Sequence, residues 1–508
     1  MSLEEYWKSL GFLSNPFQFS NADKEVEFLS EYFIKPDYFE DVWGDPYNPV
    51  SNIIYAPRGG GKTAQRIMIE KRAKLTDDIL TITYTNHDLS QVVDINHVDL
   101  QYHLTYLNRL MLLAFFSRIE TDDLKFAFAF NLTERQYIYK LARIYLYETP
   151  ASFPNQAIAS LKTISDHAIG LWNNFKEPIA NIIRQISKAK GIEIDLSKVE
   201  IDKKLVMSHK DNFMNISSLL RRVGYKSLMV LIDKVDEQSL TGNNPEASFK
   251  LIEVLLKDLE LIETPFVSFK FFLWDAIKQY TVVAARPDRV FPYDLKWTWS
   301  QMQEMLNQRV KSYSKGKVTE FLSLVPSTKM LGRIILFSEL SPRDCIRICN
   351  RILSEQFKTD PTSKVFTEDV INQSLEIFCK EKAQELITNA NNLRYLTKTN
   401  RVSFTIEDLV KNKVASDSPA VRNIIYPWTT AGYLKKIGLQ SRKHAKAVNE
   451  YAFQDIRLAY MACPTLTIEE FVRSKAYRCR IASCREVFYR DFDSGDYTCP
   501  QCNTAAYS

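Results

Sequence analysis

At 508 residues the chain is too long for one ordinary domain, and about two to four are expected. Its 45% hydrophobic and 25% charged content is ordinary for a soluble protein with sizeable cores, and a net charge of +5 singles out no partner. No apolar run approaches the ~20 residues of a membrane span, and MSLEEYWKSLGF has two early acids and no apolar h-region, so a cytoplasmic location is expected.

Residues 1–50 read as an N-terminal segment rich in aromatics, with Asn15-Pro16-Phe17 and a Tyr32-Phe33-Ile34-Lys35-Pro36 run. The apolar run Ile53-Ile54-Tyr55 predicts a buried strand, and TAQRIMIEKRAKL predicts a helix. Between them lie Ala56, Pro57, Arg58, Gly59, Gly60, Gly61, Lys62 and Thr63. This is the P-loop pattern with Ala56 where the first glycine usually stands. Three successive glycines let backbone N–H groups turn inward around phosphates, and the following helix offers its positive end to the same anion. Lys62 is expected to reach the β- and γ-phosphates of ATP, and Thr63 to hold Mg²⁺.

The β-branched run from Ile79 to Thr85 predicts the next strand. From about residue 86 to 226 the apolar spacing becomes helical, as in LTYLNRLMLLAFFSRI and RQYIYKLARIYLYE, and an inserted helical subdomain is expected. LMVLIDKVDE then gives five apolar residues ending on Asp233, with Asp236 and Glu237 close behind. A carboxylate at such a strand end holds the water shell of the metal, so Asp233 is assigned to Mg²⁺ and either Asp236 or Glu237 to polarising the attacking water. FVSFKFFLW predicts another buried strand, and helices resume near Trp299.

In the C-terminal half, SFTIEDLVKNKVASDSPAVRNIIYPWTTAGYLKKIGLQ reads as a helix, a turn and a second helical stretch, followed by a wing strand in VNEYAFQDIRLAYMA. Between Asp417 and Glu450 there is no acid, whereas Arg422, Lys435, Lys436, Arg442, Lys443 and Lys446 are basic, a charge pattern suited to a phosphate backbone. Cys479, Cys484, Cys499 and Cys502 form two hooks around EVFYRDFDSGDYT and read as a closed, structural Zn²⁺ ribbon. Cys345 and Cys349 lie on an apolar helix and read as core.

With both acidic and glycine-rich motifs in place, residues 10 to 460 resemble the AAA+/STAND group of P-loop ATPases, especially bacterial relatives of origin-recognition and KAP-type NTPases. The resemblance implies an α/β P-loop sheet, parallel, with the strands of the two motifs adjacent and nucleotide at their carboxyl ends. It implies that the NPF segment packs over adenine, and that Arg286 and Arg289 of RPDRVFPYDLKWTWSQMQEMLNQRV lie near nucleotide or a subunit interface. Arg343 of SPRDCIRICNRIL would contact the γ-phosphate. In that group a glutamate directly follows the metal aspartate, but here that position is Lys234, and no polar residue ends FFLW before Asp275. A slow switch is therefore expected.

The resulting organisation is an N-terminal segment at 1–50, a P-loop core at 51–300, a helical lid at 301–362, a winged-helix-like domain at 363–465 and a zinc ribbon at 470–508. The expected function is ATP binding and hydrolysis coupled to DNA or a partner protein, in genome maintenance or, on the resemblance, anti-phage defence. The alternatives are an ATP-holding scaffold and a nucleic-acid adaptor. Expected partners are DNA through the winged helix and ribbon, a protein carrying any effector activity, and further copies in a homo-oligomer.

Overall fold

In a computed structural model the structure describes residues 1–87, 89, 92–121, 130–147, 207–242, 244–442, 445–481, 484, 486–491, 498–499, 501–502 and 504. The chain divides into two compact units, one formed by 22–296 and the other by 1–21 together with 297–508.

The first unit is built on strands whose apolar runs leave no polar face. β1 (Asn52–Ala56), β2 (Ile79–Tyr84) and β3 (Ser227–Ile232) are buried at every position, and β4 (Val267–Trp274) at all but its last. Continuous burial is the mark of a parallel sheet covered on both sides. The four join with β5 (Phe291–Asp294) in the order β2-β3-β4-β1-β5, all parallel. The expected parallel sheet is present, but the two motif strands are not neighbours. β4 lies between β1 and β3, pairing Ile54 with Phe272 and Val230 with Phe269.

Side chains alternate between the two faces, as strand geometry requires. Ile53, Tyr55, Ile82, Val230, Phe269 and Phe271 join one core; Ile54, Met229, Leu231 and Phe272 join the other. The second core is closed by α1 (Lys62–Ala73), through Ile69 and Ala73, and by Phe39, Val42 and Trp43. The first is closed by α2 (Leu100–Thr121), α3 (Leu132–Ala142), α4 (His209–Arg222) and α5 (Pro245–Lys257). The described helices of the expected insertion thus cover the sheet itself; residues 148–206 lie outside the described residues. Lys270, deep in β4, donates to the carbonyls of Val42 at 2.6 Å and Val50 at 2.8 Å, and burial lowers its pKa to about 7.

The second unit begins with helices α6 (Trp299–Tyr313), α7 (Thr328–Phe337), α8 (Pro342–Thr359) and α9 (Glu368–Leu386). The Asn15-Pro16-Phe17 turn packs here: buried Arg309 of α6 donates to the carbonyls of Pro16 and Phe19, and Phe17 meets Phe321 edge-on at 5.9 Å. Cys345 and Cys349 are fully buried in α8, as expected of core residues.

Next come β6 (Ser403–Thr405), α10 (Ile406–Lys411), α11 (Ser418–Thr430), β7 (Leu434–Arg442) and β8 (Ala445–Phe453), with the antiparallel order β6-β8-β7. This is a winged helix. The stretch from Leu434 departs from its helical expectation. Gly432, at φ 76°, stops α11, and Leu434 to Arg442 continue as a strand against β8. After α12 (Ile456–Met461) and α13 (Ile468–Lys475), β9 (Ala476–Arg478) pairs antiparallel with β10 (Val487–Tyr489). That hairpin encloses the first cysteine hook, whereas the sequence suggested one between the hooks; residues 492–497 lie outside the described residues.

Candidate nucleotide site and cysteine cluster

The glycine-rich loop runs from the carboxyl end of β1 into α1, and each glycine has a separate reason to be there. Gly59 and Gly61 have φ of 78° and 100°, the left-handed region that a side chain disfavours. Gly60 is required by space, since an added Cβ would lie 2.9 Å from the Pro57 carbonyl oxygen and 3.3 Å from the Ala56 Cβ. Ala56 ends the strand fully buried, so its methyl group is part of the packing under the loop. The Lys62 ammonium, nearly buried, donates back to the Ala56 carbonyl at 3.1 Å and the Pro57 carbonyl at 3.3 Å. A loop that leaves no room for a Cβ beside a lysine and a helix start has the shape and donor chemistry for a phosphate chain.

Asp233 follows β3 and is 1% exposed. Its Oδ2 accepts from the Thr63 hydroxyl at 2.9 Å and from Arg66 Nε at 3.1 Å, while Oδ1 accepts from the Lys234 backbone N–H at 2.9 Å. The structure therefore brings Thr63 and Asp233 together although their strands are separated by β4. Two hard oxygen ligands joined at this point fit Mg²⁺.

The two acids expected to polarise water are not equivalent. Asp236 is buried, accepts from Arg58 Nε at 2.8 Å, and its carbonyl accepts from Arg58 Nη2 at 3.2 Å. Arg58 also lies 4.1 Å from the Trp274 ring centre, so this loop residue is turned to its own protein neighbours. Glu237 is exposed. A third acid, Asp275, directly follows β4. Desolvation raises its pKa and the nearby Lys62 ammonium opposes that rise.

Sequence reasoning missed the charge network behind Asp233. Arg66, 5% exposed, spans Asp233, Glu70 and Asp23, with Nη2 to Asp23 Oδ1 at 2.8 Å. Burial alone would lower the pKa of Arg66, but Glu70, Asp233 and Asp23 together raise it. The signal available in sequence was the i,i+4 pair Arg66–Glu70 on the P-loop helix. Lys234 sits at φ 59° and its ammonium reaches Asp23 Oδ2.

The other expected arginines are placed as follows. Arg286 pairs with Asp288, and Arg289 with Glu263 and Asp288, all substantially exposed. Arg343 lies in the first turn of α8, within the other compact unit.

At the C-terminus the structure gathers Cys479, Cys484, Cys499 and Cys502, with all four Sγ atoms within 4.8 Å of one another. Cys479 and Cys502 are 3.5 Å apart and Cys484 and Cys499 3.7 Å. A tetrahedron of thiolates at the usual Zn–S length has edges of about 3.8 Å, so the four fit a zinc ion. Backbone turns set them up: Cys479 N–H donates to Glu486 at 2.8 Å, Cys484 N–H to Ile481 at 2.9 Å, and Cys499 N–H to Thr504 at 2.8 Å.

On the winged helix, Arg422, Asn423, Tyr426, Thr429 and Thr430 are exposed on α11, and Lys435 and Lys436 on β7. Lys443 and the side chains of Arg442 and Lys446 lie outside the described residues.

The chain matches no protein-family model and no curated protein sequence. Among solved structures it is similar to the Aeropyrum pernix ORC1 protein in complex with DNA, at 10% identity over 89% of this chain and 94% of that one, TM-score 0.35. It is also similar to the Aeropyrum pernix ORC2 protein in ADPNP–ADP complexes, at 11% identity over 87% and 92%, TM-score 0.38. A third is CDC6P from Pyrobaculum aerophilum, at 10% identity over 90% and 98%, TM-score 0.32. Likeness at this level does not establish a shared fold. Among the described residues no helix is long and apolar enough to cross a membrane.

Proposed function

We propose that the chain is an ATP-binding and ATP-hydrolysing P-loop protein of AAA+ type, working as a slow switch on DNA. The observation that carries this reading is the 2.9 Å contact between Thr63, at the start of the P-loop helix, and Asp233, at the end of a separate strand. A glycine-rich turn can arise by chance; one whose threonine meets a buried strand-end aspartate supports the reading of a phosphate and metal site.

In this reading the loop from Ala56 to Gly61 surrounds the phosphates, Lys62 leaves its two carbonyls for the β- and γ-oxygens, and Thr63 and Asp233 hold Mg²⁺. Bound Mg²⁺ would neutralise charge between the β- and γ-phosphates. Asp236 is buried and its Oδ2 is already engaged by Arg58. The water-polarising role therefore falls to Glu237, which is exposed at the same turn. Arg343 is assigned to the γ-phosphate by the resemblance alone, as is the setting in phage defence; a homo-oligomer and a partner carrying any effector activity belong to the same reading.

The DNA reading is supported by the exposed faces of α11 and β7, which join Arg422, Lys435 and Lys436 to the hydrogen-bonding side chains of Asn423 and Tyr426. The cysteine cluster is read as a structural zinc site, four thiolates leaving no open position for chemistry. A phosphate-release assay with and without duplex DNA tests the whole. Wild type should turn over ATP, Lys62→Ala should neither bind nor hydrolyse it, and Glu237→Gln should bind without hydrolysis. Undiminished turnover in Lys62→Ala would remove the site; ATP binding with no turnover under any condition would leave a scaffold.

A further inference from the structure

The carboxylate that would meet the metal is not waiting alone. Asp233 Oδ2 already accepts from Thr63 at 2.9 Å and from Arg66 Nε at 3.1 Å, and Oδ1 is taken by the Lys234 N–H at 2.9 Å. An arriving Mg²⁺ with its waters needs a lone pair at this group, and Arg66 is the donor that competes for it. How firmly Arg66 holds on depends on where else its fork is engaged, because a guanidinium shares its charge among all its carboxylates.

Two further carboxylates share it. Glu70 Oε1 takes Nη1 and also accepts from the Thr83 hydroxyl, so its position is fixed from two sides. Asp23 takes Nη2 at 2.8 Å, and its other oxygen takes the Lys234 ammonium at 2.5 Å. Asp23 is the adjustable member. Its side chain is 31% exposed and lies in a short 3₁₀ turn, Ala22–Lys24, not on the sheet or on α1. Lys234, the residue directly after Asp233, is thus a competitor of Arg66 for one carboxylate.

We propose that Asp23 is a positioning residue that draws Arg66 away from Asp233, that Lys234 opposes it by drawing on Asp23, and that this balance sets the Mg²⁺ dependence of nucleotide binding. The proposal rests on the reading of Thr63 and Asp233 as a magnesium–nucleotide site. It predicts effects of opposite sign from two residues that touch neither phosphate nor metal. Neutralising Asp23 leaves Arg66 leaning on Asp233 and weakens the metal. Neutralising Lys234 gives Arg66 the whole of Asp23 and strengthens it.

The test uses the full chain and a fluorescent methylanthraniloyl-ATP, whose binding is followed while free Mg²⁺ is titrated in a metal buffer. Asp23→Asn should raise the half-saturating Mg²⁺ concentration and Lys234→Met should lower it, each by about two- to fivefold, the scale of a partly exposed ion pair. Lys24→Met removes the same charge one residue along, from an exposed position, and should leave the midpoint where it is. In an Arg66→Lys background, which keeps the charge but loses the fork, the Asp23 and Lys234 variants should no longer differ. If Arg66→Lys fails to fold, the comparison with Lys24→Met decides. Midpoints in the Asp23 and Lys234 variants that move together, or no further than in Lys24→Met, would overturn the proposal while leaving a nucleotide site in place. Wild type that binds no nucleotide at saturating Mg²⁺ would remove the site and the proposal together.

Discussion

Gly60→Ala isolates the shape of the phosphate loop from its charge. The added Cβ would stand 2.9 Å from the Pro57 carbonyl oxygen, 3.2 Å from Pro57 Cδ and 3.3 Å from the Ala56 Cβ, against the 3.4–4 Å of ordinary contact. Restoring contact requires the Pro57 carbonyl to move by about 0.5 Å, in the turn that the Gly60 N–H closes on that same oxygen. Overpacking of this kind costs about 1–3 kcal/mol. Falling on the binding-competent loop, that is about a fivefold to 150-fold loss of nucleotide affinity. Gly332→Ala is the control: it lies within α7, nothing is within 4 Å of its added Cβ, and the change should stabilise by about 0.5–1 kcal/mol. Fluorescent-nucleotide titration and urea unfolding of both variants read the two effects separately. A Gly60→Ala protein that is folded and binds ATP like wild type would refute the argument that this loop is shaped by close approach.

Cys499→Ser should lose the one zinc per chain found by elemental analysis and keep ATP binding, since the P-loop belongs to the other compact unit; wild type purified without chelator and free of zinc would refute the ribbon. Glu339 accepts from the Ile456 N–H and from the Tyr489 hydroxyl at 3.1 Å, and desolvation of its enclosed carboxyl, with Asp455 adding to it, raises its pKa to about 7. The residue keeps some exposed surface, which moderates the energy. Its folded pKa lies above the unfolded one, so stability should fall by about 1–3 kcal/mol between pH ~4.3 and 7, and Glu339→Gln should flatten that fall in urea titrations at several pH values. Replacing Lys435 and Lys436 with Glu should weaken duplex DNA binding across unrelated sequences and make the log–log salt slope shallower by about 2; equal binding would leave the winged helix to protein contacts.

The strands and the loop were legible because their information is local. Five apolar residues before Asp233 and a glycine triplet between a strand and a helix need no distant partner to be read. Lateral order is different. Nothing in β1, β3 or β4 says which two are adjacent, because all three are buried along almost their whole length, and the choice of β4 for the centre is made by long-range packing. The strand Leu434–Arg442 was missed by passing over Gly432 as a helix stop, and its register shifts at Lys436/Gly438 and Gln440/Arg442 blur the two-residue alternation. The Asp23–Arg66–Asp233 network joins residues 43 and 167 positions apart. Only the local pair Arg66–Glu70 announced that a charge was buried there.

The division of the chain bears on how it is made. One compact unit is continuous, 22–296, whereas the other needs residues 1–21 and 297–508 together. During synthesis the first 21 residues emerge long before the helices they pack with, and the continuous unit can fold while they wait. Arg309, which donates to the carbonyls of Pro16 and Phe19, is 293 and 290 positions from them, so these contacts can close only after the continuous unit has been synthesised. Removing residues 1–21 would accordingly strip contacts from α6, α8 and the turn at Phe321: Phe17 from Phe321, Asn15 from Asn350, and two carbonyls from a buried guanidinium.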